Sequence, residues 1–191
     1  MNNNSMSAFA SRAGEKLDHA LNVFQIDVAG RVCADFGSNA GGFVDCLLRR
    51  GAARVYAVDT GYGVLDWRLR KDPRVVVMER TNAMHVQLPE RVGLVSIDVA
   101  WTRQKHILPA ARRLVSVGGW VVSLIKPHYE AEPALLVGGV LPEDEVSGVV
   151  TRVSADAVGA GFEVVQMVYS PIRGAKGNRE VLAKLRPVEQ G

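Results

Sequence analysis

The sequence has no long apolar run, few cysteines and no dominant sign of charge. Its 191 residues contain no stretch of the roughly 20 consecutive apolar residues that a membrane-spanning helix needs. The first residues, MNNNSMSAFASR, lack the basic segment and apolar core of a secretory signal. Cys33 and Cys46 have no second cysteine or histidine at metal-ligand spacing, so we expect no metal site. These absences predict a reduced, cytoplasmic protein.

The composition is that of a folded globular protein. Hydrophobic residues make up 48% of the chain, and 23 Lys and Arg against 20 Asp and Glu give a net charge of +3. Residues 1–10 are rich in Asn and Ser, and we expect a flexible N-terminus there. Residues 11–191 have the length of one domain. The small positive charge is compatible with RNA as a partner but does not require it.

Strand-like and helix-like patterns alternate along the chain. This alternation predicts an α/β protein with a mostly parallel sheet of about seven strands and helices on both faces. The last linker, 171–179, is too short for a helical crossover, so we expect the final strand to run antiparallel. The predicted strands are 31–36, 54–58, 75–78, 94–99, 119–125, 162–170 and 180–185, and the predicted helices are 11–24 with Ser11 as a cap, 42–50, 102–114 and 143–160.

A glycine-rich turn, Asp35–Phe43, joins the first predicted strand to a helix. Gly37, Gly41 and Gly42 allow a ligand to approach bare backbone, and Asp59 ends the second strand where an acid can accept hydrogen bonds from a ribose. The spacing G-x-x-x-G-G differs from the G-x-G-x-x-G that cradles a pyrophosphate. S-adenosylmethionine carries a ribose and a carboxylate but no phosphate. The pattern therefore favours this methyl donor, the alternative being a turn without a ligand.

Two charged residues follow apolar strands at the edge where open parallel sheets bind ligands. Asp98 lies near the end of the fourth strand, and Lys126 directly follows the fifth. A buried Asp or Lys is costly unless it is paired. The two residues are therefore either part of a functional site or a structural ion pair.

Taken together, the motifs resemble the FtsJ-like RNA 2′-O-methyltransferases, most closely the catalytic domain of the hemolysin A (TlyA) branch. They occur in the family's order and cover most of residues 11–185. The resemblance implies the Rossmann-like fold of S-adenosylmethionine-dependent methyltransferases. The segments that carry it are Ser11–Leu17, Asp35–Phe43, Val58–Gly63, Glu79–Asn82, Ile97–Asp98, Ile125–Pro127 and Gly177–Glu180.

The resemblance also implies an active site and a reaction. Lys16, Asp98, Lys126 and Glu180 match the Lys–Asp–Lys–Glu set that the family brings together at the reacting methyl group. Lys126 would either take the proton of a ribose hydroxyl or only hold that hydroxyl in place. The implied activity is methylation of ribose 2′-hydroxyls, with rRNA favoured over tRNA. Without the resemblance, Lys16 and Glu180 would be interpreted as surface charges.

We expect eleven residues to bind S-adenosylmethionine. Six surround its methionine part, two its ribose and two its adenine, and Asp98 contacts the donor as well as the catalytic lysine. Asn82 has the alternative role of a helix cap. In the same order, the residues are Gly37, Ser38, Asn39, Gly41, Gly42 and Phe43, then Asp59 and Thr60, then Asn82 and Ala83, and finally Asp98.

Several departures from the TlyA pattern concern the substrate. The sequence contains no segment resembling the S4 RNA-binding domain of that branch, and His128-Tyr129 replaces its Gln-Phe. Basic clusters at 49–54 and 68–74 are either RNA contacts or solvated surface, and Trp67 and Trp101 either stack on bases or pack in the core. Two other functions therefore stay open: a methyltransferase acting on a small molecule or protein, and a non-catalytic RNA-binding or ribosome-assembly factor.

Overall fold

A computed structural model describes residues 9–189, so most of the predicted flexible segment 1–10 lies outside the described residues. In this range the chain forms seven strands and six α-helices, with two single 3₁₀ turns. The strands are β1 Val32–Phe36, β2 Arg54–Val58, β3 Val75–Met78, β4 Val92–Ile97, β5 Val115–Ile125, β6 Phe162–Tyr169 and β7 Val181–Pro187, and the α-helices are α1 Ala13–Val23, α2 Gly42–Arg49, α3 Trp67–Arg70, α4 Gln104–Leu114, α5 Pro127–Glu130 and α6 Glu143–Gly159.

The strands form a single sheet in the order β3-β2-β1-β4-β5-β7-β6. β1 to β5 run parallel to one another, whereas β7 is antiparallel to both β5 and β6. The predicted α/β architecture and the antiparallel last strand are therefore confirmed. β1 lies between β2 and β4, and the helices that follow β1 and β4 pack on opposite faces of the sheet. This divergence opens a crevice at the carboxyl ends of these strands.

Apolar side chains cover both faces of the sheet. One core contains the inward faces of α1 and α2, where Leu17, Leu21 and Phe24 recur at helical spacing and are buried. The other core lies under α4 and α6 and includes Leu108 and Val153. Central strands are buried on both faces, which explains their continuous apolar runs. Within residues 9–189, no helix combines the length and the hydropathy that crossing a membrane requires.

Most predicted boundaries are correct within two residues, and the exceptions have local causes. β5 begins at Val115 rather than 119, because Val115 pairs with Val92 ahead of a register shift. β4 ends at Ile97, which leaves Asp98 just beyond the strand. The residue at the N-cap of α1 is Arg12, and Ser11 instead accepts a 3.3 Å hydrogen bond from the backbone N–H of Ala13. The four-residue helices α3 and α5 are too short to show periodicity in sequence.

Candidate active site

Four charged residues from distant parts of the chain meet at the carboxyl edge of the sheet. Asp98 follows β4, Lys126 follows β5, Glu180 directly precedes β7, and Lys16 lies on α1. Ile125 of β5 pairs with Val181 of β7 in the antiparallel register. Lys126 and Glu180 are the next residues beyond this pair, so the two strands hold them side by side. We call Lys16, Asp98, Lys126 and Glu180 the tetrad.

The tetrad consists of two lysine–carboxylate pairs. Lys16 Nζ donates a 2.5 Å hydrogen bond to Glu180 Oε2. Lys126 Nζ lies 2.6 Å from Asp98 Oδ1, in a charge contact whose angles are not those of a hydrogen bond, and donates to the backbone oxygen of Val99 at 3.2 Å. The four side chains are only 3% to 18% exposed. Removing one member would therefore leave a largely buried charge without its partner.

The tetrad borders a cleft of about 300 Å³, which we call the tetrad cleft. Its walls include the loop before β7, the start of α1 and the short helix α5. His128 of α5 is buried, and burial together with the charges of Lys126 and Lys16 lowers its pKa below the usual value. His128 therefore adds no positive charge near neutral pH. The other residues around this cleft are Ser11, Arg12, Ala13, Tyr129, Ile172, Arg173, Gly174 and Ala175.

A second cleft, of about 400 Å³, lies over the ends of β1, β2 and β4, and we call it the Asp59 cleft. Asp98 borders both clefts, so they meet at this side chain. Seven of the eleven predicted donor-binding residues line the Asp59 cleft. They are Gly37, Asn39, Asp59, Thr60, Asn82, Ala83 and Asp98.

Asp59 ties the glycine-rich turn to the end of β2. Its Oδ2 accepts a 2.9 Å hydrogen bond from the backbone N–H of Asn39, and its Oδ1 accepts one of 2.7 Å from Gly61. Asn39 has a φ of 45°, a left-handed conformation that Asn tolerates better than most residues. The Asp59 carboxylate thus holds the turn in the conformation that forms one wall of the cleft.

The other four predicted donor-binding residues are not among the described residues that line the Asp59 cleft. A Cβ at Gly41 would come within 2.3 Å of Leu69, and one at Gly42 would come within 2.3 Å of Ser11 Oγ. Phe43 is 2% exposed and belongs to the core shared with α1, and Ser38 is also buried. These glycines allow close packing of α2 against its neighbours, and their spacing alone could not separate that role from ligand contact.

For some residues that line the Asp59 cleft the sequence indicated only one of their roles, and other lining residues it did not indicate at all. Asn82 borders the Asp59 cleft. Its side chain also accepts a 2.9 Å hydrogen bond from the backbone N–H of Met84, and this bond caps a turn rather than a helix. Trp101 is 84% exposed at the rim of the cleft, and its ring lies 4.9 Å from that of Tyr129. Core packing is therefore excluded for Trp101, and also for Trp67, which is 65% exposed. The cleft residues missed from the sequence are Gly61, Thr81, Val99, Ala100, Thr102 and Ile107.

The lining of the Asp59 cleft fits a cationic ligand with an apolar part. Two carboxylates, Asp59 and Asp98, border it together with apolar side chains such as Ile107, and neither Lys nor Arg is among the described lining residues. A pyrophosphate would meet negative charge here with no cation to offset it. S-adenosylmethionine has one carboxylate, but its sulfonium and ammonium give it a net positive charge. Together with its ribose and adenine, these cationic groups match the carboxylates and the apolar wall.

The sheet order, with five parallel strands and an antiparallel last strand, is that of the Rossmann-like fold. An S-adenosylmethionine-dependent methyltransferase from Mesorhizobium loti shares this fold, with a TM-score of 0.64 at 16% identity over 88% of this chain and 96% of that one. The chain belongs to the FtsJ-like methyltransferase family, whose sequence model matches residues 9–186. S-adenosylmethionine is its cofactor.

The relatives belong to the branch that the motifs indicated. The chain is 42% identical to the 16S/23S rRNA (cytidine-2′-O)-methyltransferase TlyA of Mycobacterium tuberculosis, over 94% of this chain and 69% of that protein. It is 38% identical to YqxC of Bacillus subtilis, over 93% of this chain and 65% of YqxC. A solved structure from Streptococcus thermophilus, described as a candidate hemolysin, superposes with a TM-score of 0.92 at 38% identity and covers 96% of this chain and 68% of that one. The chain thus spans about two thirds of these relatives.

Proposed function

We propose that this protein transfers the methyl group of S-adenosylmethionine to a ribose 2′-hydroxyl of ribosomal RNA. The observation that carries the proposal is that two lysine–carboxylate pairs line the tetrad cleft and that one of their members, Asp98, also lines the Asp59 cleft. The names of TlyA proteins from two organisms, as rRNA (cytidine-2′-O)-methyltransferases, support the choice of RNA and of the ribose oxygen. Acting on ribosomal RNA, the enzyme would work in the cytoplasm.

The Asp59 cleft would hold the donor, which supplies an electrophilic methyl group on a positively charged sulfur. Asp59 and Thr60 suit hydroxyl groups of the ribose, because carboxylate oxygens accept O–H donors. Asn82 and Ala83 lie where an adenine edge and face would be contacted. Asp98 would place a negative charge beside the cationic part of the donor. These contacts fix the direction of the methyl group, which is the main demand of an in-line displacement.

Lys126 would orient the ribose hydroxyl. An ammonium has three N–H donors, and the structure shows one of those of Lys126 Nζ bonded to the backbone oxygen of Val99, so N–H groups remain for the hydroxyl oxygen beside the charge contact with Asp98. The transfer would form a bond between the ribose oxygen and the methyl carbon, break the bond from that carbon to sulfur, whose electron pair stays on sulfur, and break the O–H bond of the ribose. Lys126 in its neutral form would accept this proton at Nζ.

Lys16 and Glu180 would form the far wall of the reacting centre. Glu180 is 3% exposed and its Oε2 accepts a hydrogen bond from Lys16, so the two charges are paired without a substrate. We propose that the pair positions the sugar against Lys126 and holds the charge of the site constant, since its two members compensate each other.

Replacement of Lys126 tests the function directly. Lys126→Ala should lower methyl incorporation into unmodified rRNA by about 10²–10⁴-fold, because an orienting or proton-accepting group is lost. Lys126→Arg should be equally inactive, since a guanidinium does not give up its proton. Both variants should bind S-adenosylmethionine within about threefold of the parent protein, because Lys126 does not line the Asp59 cleft. The measurements are radiolabelled methyl transfer at saturating donor and calorimetric donor binding.

The control is Lys105→Ala, which removes an exposed lysine that borders neither cleft and should leave both measurements unchanged. Near-parental transfer by Lys126→Ala would contradict ribose methylation and favour a small-molecule or protein substrate. Donor binding by the parent protein without methyl transfer to any rRNA would favour a non-catalytic RNA-binding role.

A further inference from the structure

The two basic clusters of the sequence carry little uncompensated charge. Their arginines form ion pairs with nearby carboxylates at 2.5 to 3.0 Å. Lys71 is the one basic residue of the clusters without a carboxylate partner among the described residues, and its Nζ lies 5.1 Å from the centroid of the Trp67 ring. Apart from Lys71, the clusters present alternating charge to solvent, which is not the pattern of a phosphate-binding patch. The pairs are Arg49–Asp45, Arg50–Asp18, Arg54–Glu90, Arg68–Asp66, Arg70–Glu79 and Arg74–Asp72.

Arg12 differs from the other cations that border the tetrad cleft. Lys16 and Lys126 are paired within the tetrad, and Arg173 binds Glu143 at 2.6 Å and the backbone oxygen of Gly177 at 3.0 Å. Arg12 is exposed and forms no ion pair with any carboxylate of residues 9–189. Its positive charge is therefore available to a ligand.

The chemistry of a ribose substrate requires such a charge. In RNA the 2′-hydroxyl and the 3′-oxygen are on neighbouring carbons, so a phosphodiester lies next to any 2′-hydroxyl that reaches Lys126. That phosphate would approach Asp98 and Glu180, whose negative charges repel it. The two tetrad lysines are already compensated by these carboxylates, so a further cation is needed for the phosphate.

The position of Arg12 suits this task. It immediately precedes α1 and lies four residues before Lys16, a spacing that places side chains on the same face of a helix. Packing of α1 against α2 fixes this face relative to the tetrad. We propose that the guanidinium of Arg12 binds the phosphodiester on the 3′ side of the ribose that is methylated. The inference rests on the proposed function and adds to it a phosphate subsite.

The experiment compares Arg12→Ala and Arg12→Lys with the parent protein, using unmodified rRNA transcribed in vitro. Arg12→Ala should raise the KM for rRNA about tenfold, since a charge-assisted hydrogen bond is lost, and leave kcat within about threefold. The slope of log affinity against log salt concentration should fall by about 1. Arg12→Lys should keep the parental slope and recover part of the affinity, because it retains the charge without the planar fork.

Arg152→Ala is the matched control, because Arg152 is an exposed arginine on α6 that borders neither cleft and forms no ion pair with a described carboxylate. This variant should match the parent protein in KM and in salt slope. An active parent with an unchanged KM and slope in Arg12→Ala would overturn the phosphate subsite and leave the proposed function standing. A loss confined to kcat would also overturn it, because Arg12 would then act by positioning Lys16. A parent protein that methylates no rRNA would instead refute the function.

Discussion

Asp59 shows how one side chain at the edge of the sheet combines two roles. Both of its oxygens accept backbone N–H groups, from Asn39 and Gly61, and each oxygen keeps a further lone pair for a ligand. The sequence position of Asp59 predicted only the contact with a ribose. Its bonds to the turn depend on the φ of Asn39, which no spacing rule reveals.

Removing the Asp59 carboxylate should therefore affect donor binding in two ways. Asp59→Ala should weaken S-adenosylmethionine binding about 10- to 100-fold, because it loses charge-assisted bonds to the donor and loosens the turn at Asn39. Asp59→Asn keeps one acceptor oxygen and should lose less affinity. Calorimetric titration of both variants provides the measurement, with circular dichroism as the control for folding. Parental affinity in a folded Asp59→Ala variant would show that the donor binds elsewhere.

Asp35 is the residue for which we expect the clearest effect of pH on stability. It is fully buried in β1, its Oδ1 accepts a 2.7 Å hydrogen bond from Ser96 Oγ, and its Oδ2 has no hydrogen-bond partner among residues 9–189. Burial raises the pKa of Asp35 to about 8, against an opposing effect of the Ser96 hydrogen bond. The folded chain therefore retains a proton that the unfolded chain releases.

Because the folded-state pKa is the higher one, this group makes stability fall as pH rises from about 4 to about 8. The expected slope is about 1.4 kcal/mol per pH unit inside that window. Asp35→Asn cannot titrate, so its free energy of unfolding should decline less between pH 6 and pH 8 in urea denaturation. Asp27→Asn, at an exposed position, is the control. Parallel pH profiles for Asp35→Asn and the parent protein would contradict the expectation.

At the scale of elements, the contact between α1 and α2 links packing to the active site. Gly42, the first residue of α2, faces Ser11 and the backbone of Gly14, and the same helix α1 carries Lys16. The sequence showed a pair of glycines at a helix start, which is equally consistent with a ligand turn and with close helix packing. The tertiary arrangement shows the close packing, and the predicted ligand contact of these glycines stays a prediction.

A methyl group at Gly42 should act through this contact. Gly42→Ala should destabilise the fold by about 1–3 kcal/mol, because its Cβ would lie 2.8 Å from Gly14 N and the helices would have to separate. Donor affinity should change less than methyl transfer, since Lys16 moves with α1. Gly148→Ala, in α6, where the new Cβ would meet nothing within 4 Å beyond the local backbone of its own helix, should raise stability by about 0.5–1 kcal/mol. Thermal unfolding of both variants tests the contrast, and equal losses would refute it.

The regular elements were easier to predict than the walls of the clefts. Strands β2 and β3 match their predicted bounds, because apolar runs between turn residues leave few alternatives. The tetrad residues could be named from their motifs, yet the way they pair, Lys16 with Glu180 and Lys126 with Asp98, depends on strand order. Short helices such as α5 place His128 and Tyr129 in the tetrad cleft without any periodic signal.

At the scale of the whole molecule, one continuous sheet connects all the packing layers. We propose that residues 11–191 form a single cooperative domain, since both cores share the strands of this sheet. Urea unfolding followed by tryptophan fluorescence and by far-ultraviolet circular dichroism should give coincident transitions. Two separate transitions would show that part of the chain folds independently.

The pairing of Ile125 with Val181 has a consequence for how such enzymes diverge. Lys126 directly follows Ile125 in β5, and Glu180 directly precedes Val181 in β7. The pairing of these two strands therefore sets the distance between Lys126 and Glu180, and the length of the segment that connects β5 to β7 does not. Insertions or deletions in the surface segments 131–142 and 170–179 can accumulate over evolution without separating the two charged groups. Residues of these segments line the tetrad cleft and the neighbouring pocket at Trp101 and Tyr129. Related enzymes can therefore change the RNA that they bind through these segments while the tetrad keeps its geometry.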